Sequence, residues 1–416
     1  MNRKTVISYV IVLIAVSLLL RAFLLDLFLS RHSIEQWEYD SIARNILAGK
    51  GFTMPHLGTT YRSFTTPLYV FLLVLVYGMF GFDPAPVMYM QTLLSIGACV
   101  LIFLIARKTF DEKAALVALA LTIFHPALVL YSVKKAHTLT LDLFVFSLVI
   151  FCVMKLRERV SLKSAAFCGL TFGVAALSRF SIMDFLPFVL LWLFILMKGG
   201  LLKKVSCLAI FLIFLSVPVS GWVLRNYVIH HKFIPGASVD AEVFWRGNNM
   251  NATGSSYMPS GEPVLLEDKE LYSKIVALPE LEQREIFREE ALKFVSEDPA
   301  RFIMLFFRKL GYFWWSSPTT GLLYPSLYTA VYNYSYAFYV LFAAAGLYMA
   351  LGNKVWSDKG NLMLLVLFML SISVFQSLFY VEGRHRWSVE PVLLIISASG
   401  ITGLFEIFSN FYKRER

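Results

Sequence analysis

Three carboxylates fall within six residues in the stretch SRHSIEQWEYDSIARNILAGKGF (30–52): Glu35, Glu38 and Asp40. A carboxylate facing an enclosed cavity can act as a general base, taking a proton from a hydroxyl within hydrogen-bond reach. On a solvated helix the same groups only meet water, and the pattern alone leaves both readings open. As a helix from about 34 to 47, the stretch puts Ile34, Trp37, Ile42, Ile46 and Leu47 on or near an apolar side. Glu35 and Glu38, three apart, share another side. Asp40 and Arg44 are i,i+4 partners, which offers Asp40 a structural role, and Gly49 with Gly51 ends the helix.

A second set of side chains suits an anion. Arg225 lies where an apolar run ends, in PVSGWVLRNYVIHHKFIPGAS (218–238), and Arg246 lies beside Asn248 and Asn249 in FWRGNNMNATG (244–254). Arg62 opens RSFTTPLY (62–69), and Arg384, His385 and Arg386 sit together in VEGRHRWSVEP (381–391). A guanidinium offers fixed, bidentate donors to a phosphate, and an Asn amide can bond sugar hydroxyls. Interfacial anchoring is the competing reading for each Arg, and Glu382 or Glu390 could neutralise the 384–386 cluster instead of a bound anion. Lys134, Lys135 and His137 raise the same question in SVKKAHT (132–138). The seven His are scattered, so neither a metal nor another cofactor is expected. P-loop, G-x-G-x-x-G and G-x-S-x-G elements are missing from the sequence, which leaves ATP-driven transport without support.

The elements that must position these groups are apolar. The chain has 416 residues, 58% hydrophobic and 16% charged, with several runs near the roughly 20 residues that cross a bilayer core. The expected class is an all-α polytopic membrane protein. The run 6–29 is too long for a signal h-region and lacks a cleavage site, so it is expected to remain as the first span. Cys99, Cys152, Cys168 and Cys207 all lie in apolar runs and are expected to be core residues. The net charge of +10 is mostly loop Lys and Arg beside spans, which orients the chain and does not suggest nucleic acid.

Ten spans are expected, near 6–28, 86–106, 114–131, 138–154, 164–178, 182–197, 205–223, 334–352, 361–380 and 388–408. Segment 67–82 is short for a crossing, and 301–315 carries Arg308 and Lys309 at its middle. If both lie in the interface as amphipathic segments, the basic loops 107–113 and 155–163 join MNRK, 197–204 and the YKRER tail on the cytoplasmic side. Both termini are then cytoplasmic, and the polar chemistry lies outside. The expected organisation is a membrane module over 1–223 with a first external loop 30–85, a long external loop 224–333, and terminal spans over 334–416. Amphipathic periodicity runs through 268–297 (Leu271, Ile275, Leu278, Leu281, Phe287, Leu292, Val295).

Several segments together resemble a known family. WEYDSIARNILAGKGF, YRSFTTPLYVFLLVLVYGMFGF, WVLRNYVIHHKFIPGAS with RGNNMNATG, EDPARFIMLFFRKLGYFW and GRHRWSVEPVLLI are similar, in order, to elements of the GT-C fold membrane glycosyltransferases. The likeness is to the bacterial branch related to protein O-mannosyltransferases, ArnT-like aminoarabinose transferases and RgtA–D-like proteins (glycosyltransferase families 39 and 83). The resemblance implies an inverting transferase in the cytoplasmic membrane, using a polyprenyl-phosphate-linked sugar on the outer face. It implies a lipid, glycan or protein acceptor whose hydroxyl is activated by an acidic residue of the first external loop. The matching position, four residues before Tyr39, is Glu35, a Glu where Asp is usual; Asp40 is the reserve and Glu38 the third choice. The family's second acidic position is replaced by VKKAHTL, and no essential metal is implied.

Two other classes compete. A transporter or lipid flippase calls for intramembrane ionisable groups and repeated halves. Only Asp142 and Asp184 are acidic residues deep in apolar runs, and no repeated half is evident. A non-catalytic GT-C scaffold predicts that all three first-loop carboxylates are dispensable.

Overall fold

The computed structural model describes residues 2–32, 34–319, 324–352 and 355–414. The MNRK and YKRER clusters extend outside the described residues at Met1, Glu415 and Arg416. The chain runs through α1 (Arg3–Ser30), β1 (Glu35–Gln36), α2 (Glu38–Leu47), the hairpin β2 (Met54–His56) and β3 (Thr59–Tyr61), and α3 (Pro67–Phe80). There follow α4 (Pro84–Thr109), α5 (Glu112–Ile123), α6 (Pro126–Val133), β4 (Lys135–Ala136), α7 (Leu139–Glu158) and α8 (Leu162–Ser178). A 3-10 turn (Phe180–Phe185) leads into α9 (Leu186–Leu196) and then α10 (Leu201–His230). The long segment between α10 and the next long helix holds α11 (Asp240–Arg246), α12 (Val264–Glu267), α13 (Lys269–Ile275), α14 (Glu280–Glu297) and α15 (Pro299–Trp314). The chain closes with α16 (Ser326–Leu351), α17 (Lys359–Gln376), α18 (Gly383–Arg386) and α19 (Glu390–Arg414).

Each of the ten expected spans falls on a helix or a bent helix pair. Seven helices among the described residues are long and apolar enough to cross a membrane: α1, α4, α7, α10, α16, α17 and α19. The pair α5–α6 makes an eighth, bent by 53° where Pro126 cannot supply a backbone donor. The remaining two are shorter. α8 has 17 residues, about 25 Å at the helical rise, and the helix Phe180–Leu196 begins as a 3-10 turn. All four cysteines are buried and free.

Small residues set the closest helix contacts. A Cβ at Gly169 would lie 2.1 Å from Phe211 O, and one at Gly173 would lie 2.3 Å from Leu215 O, so α8 meets the backbone of α10 directly. Gly169→Leu is therefore expected to force these helices apart, lowering the thermal midpoint of the detergent-solubilised protein by the equivalent of about 1–3 kcal/mol. An unchanged midpoint would contradict this packing.

The ends of the bundle differ in character. At one end, Lys108 pairs with Glu158, Lys113 with Glu406 and Arg157 with Asp358. At the other lie the first loop, the α6–α7 and α8–α9 turns, the end of α10 and the turn around 381–387. α3 is tied to this second end twice over: Thr66 Oγ1 donates to Ser178 O at 2.7 Å, and Tyr77 OH donates to Asp40 Oδ1 at 2.6 Å. It therefore lies across the end of the bundle. It differs from the expected amphipathic segment in being apolar all round, with Leu73 buried and Leu75 and Met79 exposed.

α15 lies at the same end and is amphipathic. Its two charges part company: Arg308 is exposed, whereas Lys309 is buried and donates to Gly247 O at 3.0 Å and Asn248 Oδ1 at 2.8 Å. The expected helical stretch 268–297 is broken before Pro279, and Leu292 is exposed while Phe294 is buried. A small separate core of Trp245, Val264, Leu271, Ile275 and Phe287 forms there. The first loop docks on it through Tyr61 OH, which donates to Gln283 Oε1 at 2.6 Å.

Candidate active site

Folding separates the three first-loop carboxylates. β1 pairs in parallel with β4, setting Glu35 opposite Lys135, and Glu35 N donates to Lys134 O at 2.9 Å. This register places the carboxylate between two ammonium groups, with Oε1 3.0 Å from Lys134 Nζ and Oε2 2.7 Å from Lys135 Nζ. Burial pushes the Glu35 carboxyl up, but hydrogen bonds and charge from Lys135 and Lys134 outweigh it and hold it below the usual glutamate range. Glu38 forms no ion pair among the described residues. Burial raises its carboxyl, against the opposing charges of Arg384 and Arg179. Asp40 is only 8% exposed, and both its oxygens are taken, by Tyr77 OH and by Arg44 Nε at 2.8 Å. Its i,i+4 pairing with Arg44 is the role the structure supports.

Glu35 and Lys135 open onto a cavity of about 340 Å³. Trp37, Tyr257, Tyr324, Tyr328, Tyr332 and Trp387 form its walls, and Glu382 and Arg384 join the two charged groups of the β1–β4 pair. Arg384 lies 5.6 Å from the Trp37 ring centre, with Lys135 Nζ 5.8 Å from the same ring and 4.5 Å from that of Tyr324. The Arg384 guanidinium makes no ion pair or hydrogen bond among the described residues, so its donors remain available to a ligand. Three further polar atoms on the cavity walls are buried without a partner among the described residues: Trp387 Nε1, Tyr328 OH and Thr329 Oγ1. Buried polar groups ordinarily find partners, so these mark positions that a ligand can satisfy.

The turn carrying Arg384 is fixed from below. Glu382 Oε1 accepts from Ser255 Oγ at 2.6 Å, Ser256 Oγ at 2.8 Å and Ser256 N at 3.0 Å. Glu382 also closes a reciprocal cap with His385, whose Nδ1 accepts from Glu382 N at 3.2 Å. Burial, with Arg384 and Arg179 nearby, pushes His385 well below the usual histidine range, so it is neutral at pH 7 and is no phosphate-binding cation.

Most other expected anion-binding residues are engaged elsewhere. Arg386 turns into the core and donates to Glu390 Oε1 at 2.8 Å and Tyr332 OH at 2.7 Å. Arg225 donates to Ser63 Oγ at 2.7 Å and Asn226 Oδ1 at 2.9 Å, packed over Trp222. Arg246 pairs with Glu242, which also holds His56 at 2.8 Å. Asn248 donates to Phe244 O and Leu378 O, and Asn249 donates to Trp245 O. Arg62 is exposed, and its backbone N–H donates to Glu280. None of these lines the cavity; of that group, Arg384 alone does.

The residues that reasoning from sequence left out are mainly Tyr257, Tyr324, Tyr328, Tyr332 and Trp387, with Lys135 raised there only as a question. A loop lysine beside a cluster of carboxylates was the available signal for Lys135. The aromatic walls come from segments far apart in the chain, and only the fold assembles them.

The architecture is similar to that of two solved oligosaccharyltransferase structures. Residues 65–222 match the family model described as dolichyl-phosphate-mannose-protein mannosyltransferase. Among solved structures, ArnT from Cupriavidus metallidurans bound to undecaprenyl phosphate matches at 14% identity and TM-score 0.47, covering 95% of this chain and 60% of that one. The archaeal oligosaccharyltransferase AglB from Archaeoglobus fulgidus, in complex with an inhibitory peptide and a dolichol-phosphate, matches at 14% identity and TM-score 0.55, covering 99% and 51%. The Archaeoglobus fulgidus oligosaccharyltransferase tethered with an acceptor peptide matches at 13% identity and TM-score 0.57, covering 99% and 51%. The chain spans between about half and three-fifths of the length of these proteins. No curated protein matches.

Proposed function

The chain is a GT-C fold membrane protein, and from that premise we propose that it is an inverting glycosyltransferase. It moves a sugar from a polyprenyl-phosphate donor to a hydroxyl of a lipid, glycan or protein acceptor. The observation that carries this reading is the cavity in which the Glu35 carboxylate, the Lys135 ammonium and the unpaired Arg384 guanidinium meet between aromatic walls. A pocket with apolar faces and a few convergent polar groups is what a sugar phosphate needs. The basic end of the bundle, at Lys108, Lys113, Lys155 and Arg157, is assigned to the cytoplasm, which puts the cavity at the outer face of the cytoplasmic membrane.

The mechanism follows from charge. An arriving lipid phosphate competes with Glu35 for Lys134 and Lys135, and Arg384 supplies a further fork of donors. As the ammonium groups turn to the phosphate, the carboxylate loses the interactions that lowered its basicity. It then takes the proton of the acceptor hydroxyl while the acceptor oxygen attacks the anomeric carbon. The bond from that carbon to the phosphate oxygen breaks, and polyprenyl phosphate leaves with its negative charge stabilised by Arg384 and Lys135. One displacement inverts the anomeric configuration.

Arg384→Ala is the test of this role. Loss of a donor that stabilises developing charge typically costs about 100- to 1,000-fold in rate, so release of polyprenyl phosphate from a polyprenyl-phosphate sugar should fall by that factor. Arg384→Lys should recover part of it, since the charge remains and the bidentate fork is lost. Arg225→Ala, at a residue outside the cavity, should lower the rate far less. Equal losses in the two alanine variants would sink the assignment.

A further inference from the structure

A second cavity, of about 390 Å³, lies beside the first and shares none of its lining residues. Trp37 walls the first, and Tyr39, two residues on, walls the second. The His137 ring stands edge-on to both, 5.0 Å from Trp37 and 5.5 Å from Tyr39. Glu38 feels Arg384 from the first cavity and Arg179 from the second. The two spaces therefore flank the first-loop segment that carries the proposed base.

The charges of the second cavity do not balance. Arg179 Nε donates to Asp142 Oδ2 at 2.7 Å, and Asp240 pairs with Arg284 at 2.9 Å. Asp184 remains: it lines the cavity, is half-buried, and has no hydrogen bond or ion pair among the described residues. Gln376 also lines this cavity. One N–H of its amide donates to Tyr380 O at 2.9 Å, and its amide oxygen is a further acceptor. A partly desolvated carboxylate without a donor is costly unless something supplies one. This cavity thus holds a carboxylate without a counter-ion and is formally negative, unlike the cavity holding Arg384.

We propose that the second cavity is the acceptor subsite and that Asp184 is its recognition residue, taking hydrogen bonds from a donor-rich group of the acceptor. That group is either the hydroxyls of a sugar or a protonated amine; both offer donors to a carboxylate. The proposal rests on the transferase reading, because it names the second substrate of that reaction. It also accounts for Asp184 in an otherwise apolar helix.

The test is ligand binding to the full chain in nanodiscs, followed by saturation-transfer NMR. Three probes are used: methyl glucoside, methyl 2-amino-2-deoxyglucoside and farnesyl phosphate. The wild type should bind at least one glycoside, and Asp184→Ala should weaken that binding at least tenfold while farnesyl phosphate binds within about twofold of wild type. Asp184→Asn keeps an acceptor and removes the charge. Retained binding of both glycosides in this variant identifies hydroxyl recognition, and a tenfold loss confined to the amino-glycoside identifies amine recognition. Glycoside binding that is absent from the wild type, or unchanged in Asp184→Ala, overturns the proposal. Failure of farnesyl phosphate to bind the wild type counts against the transferase reading instead, and the glycoside arms still decide the subsite.

Discussion

Glu35→Gln is expected to lower sugar transfer by about 100- to 10,000-fold, the range over which a positioned general base contributes, with protein level and thermal midpoint close to wild type. The substitution keeps shape and hydrogen bonding while removing the proton acceptor. Glu35 lies at the cavity edge with its side chain 39% exposed, so losing its two lysine pairs should affect folding little. The pH profile gives an independent sign. A base works when deprotonated, and Lys135 and Lys134 hold the Glu35 carboxyl below the usual glutamate range. The acid limb of kcat/KM, which reports the free enzyme with both lysine pairs intact, should therefore lie below that range. A base at Glu38, whose carboxyl burial raises, would place the limb above it. Asp40→Asn supplies the contrast, because its effect should fall on stability through Arg44 and Tyr77.

The largest stability effect is expected at Glu390. Its Oε1 accepts from Arg386 Nε and from Tyr332 OH, and its Oε2 lies 2.7 Å from His125 Nε2, off the hydrogen-bond axis. The His125 and Glu390 side chains are fully buried, and Arg386 is 2% exposed. Arg386 also donates to Phe313 O at 3.2 Å and Trp315 O at 3.1 Å, and lies 3.6 Å over the Tyr336 ring. One charge cluster thus joins the α5–α6 bend, the end of α15, α16 and the start of α19. Glu390→Gln leaves the Arg386 charge without its counter-ion in a buried site, a change that typically costs about 3–5 kcal/mol. Thermal unfolding should show a large fall in midpoint. A double substitution, Arg386→Met with Glu390→Leu, should recover much of the loss, because no unpaired buried charge remains. If the single and double variants unfold alike, the charge balance is not what holds this junction.

Much of the fold was legible because hydropathy and length are local properties. The ten expected spans all fall on helices or a bent helix pair, and 67–82 and 301–315 form separate helices, the first apolar all round where an amphipathic segment was expected. What hydropathy could not reveal was the inward turn of Lys309, since its acceptors Gly247 O and Asn248 Oδ1 come from another segment. The same limit applies to the candidate site. Arg384 and Arg386 are two apart and read alike in sequence. The phase of one short helix points the first at the cavity and the second at Glu390. Arg246 is different, because Glu242 lies four residues before it and the pairing could have been read as Asp40–Arg44 was. Arg225 gave no such clue, as Ser63 reaches it from the first loop. The β1–β4 register is likewise invisible in two-residue strands, yet it alone sets Glu35 against Lys134 and Lys135.

The most direct measurement of the central claim is a cryo-electron-microscopy structure of the full chain in nanodiscs with undecaprenyl phosphate. The account predicts phosphate density inside the first cavity, within ion-pair distance of both Lys135 and Arg384, with Glu35 released from at least one of its lysines. Phosphate bound at Arg225 or Arg246, with the Glu35 cavity empty, would contradict it.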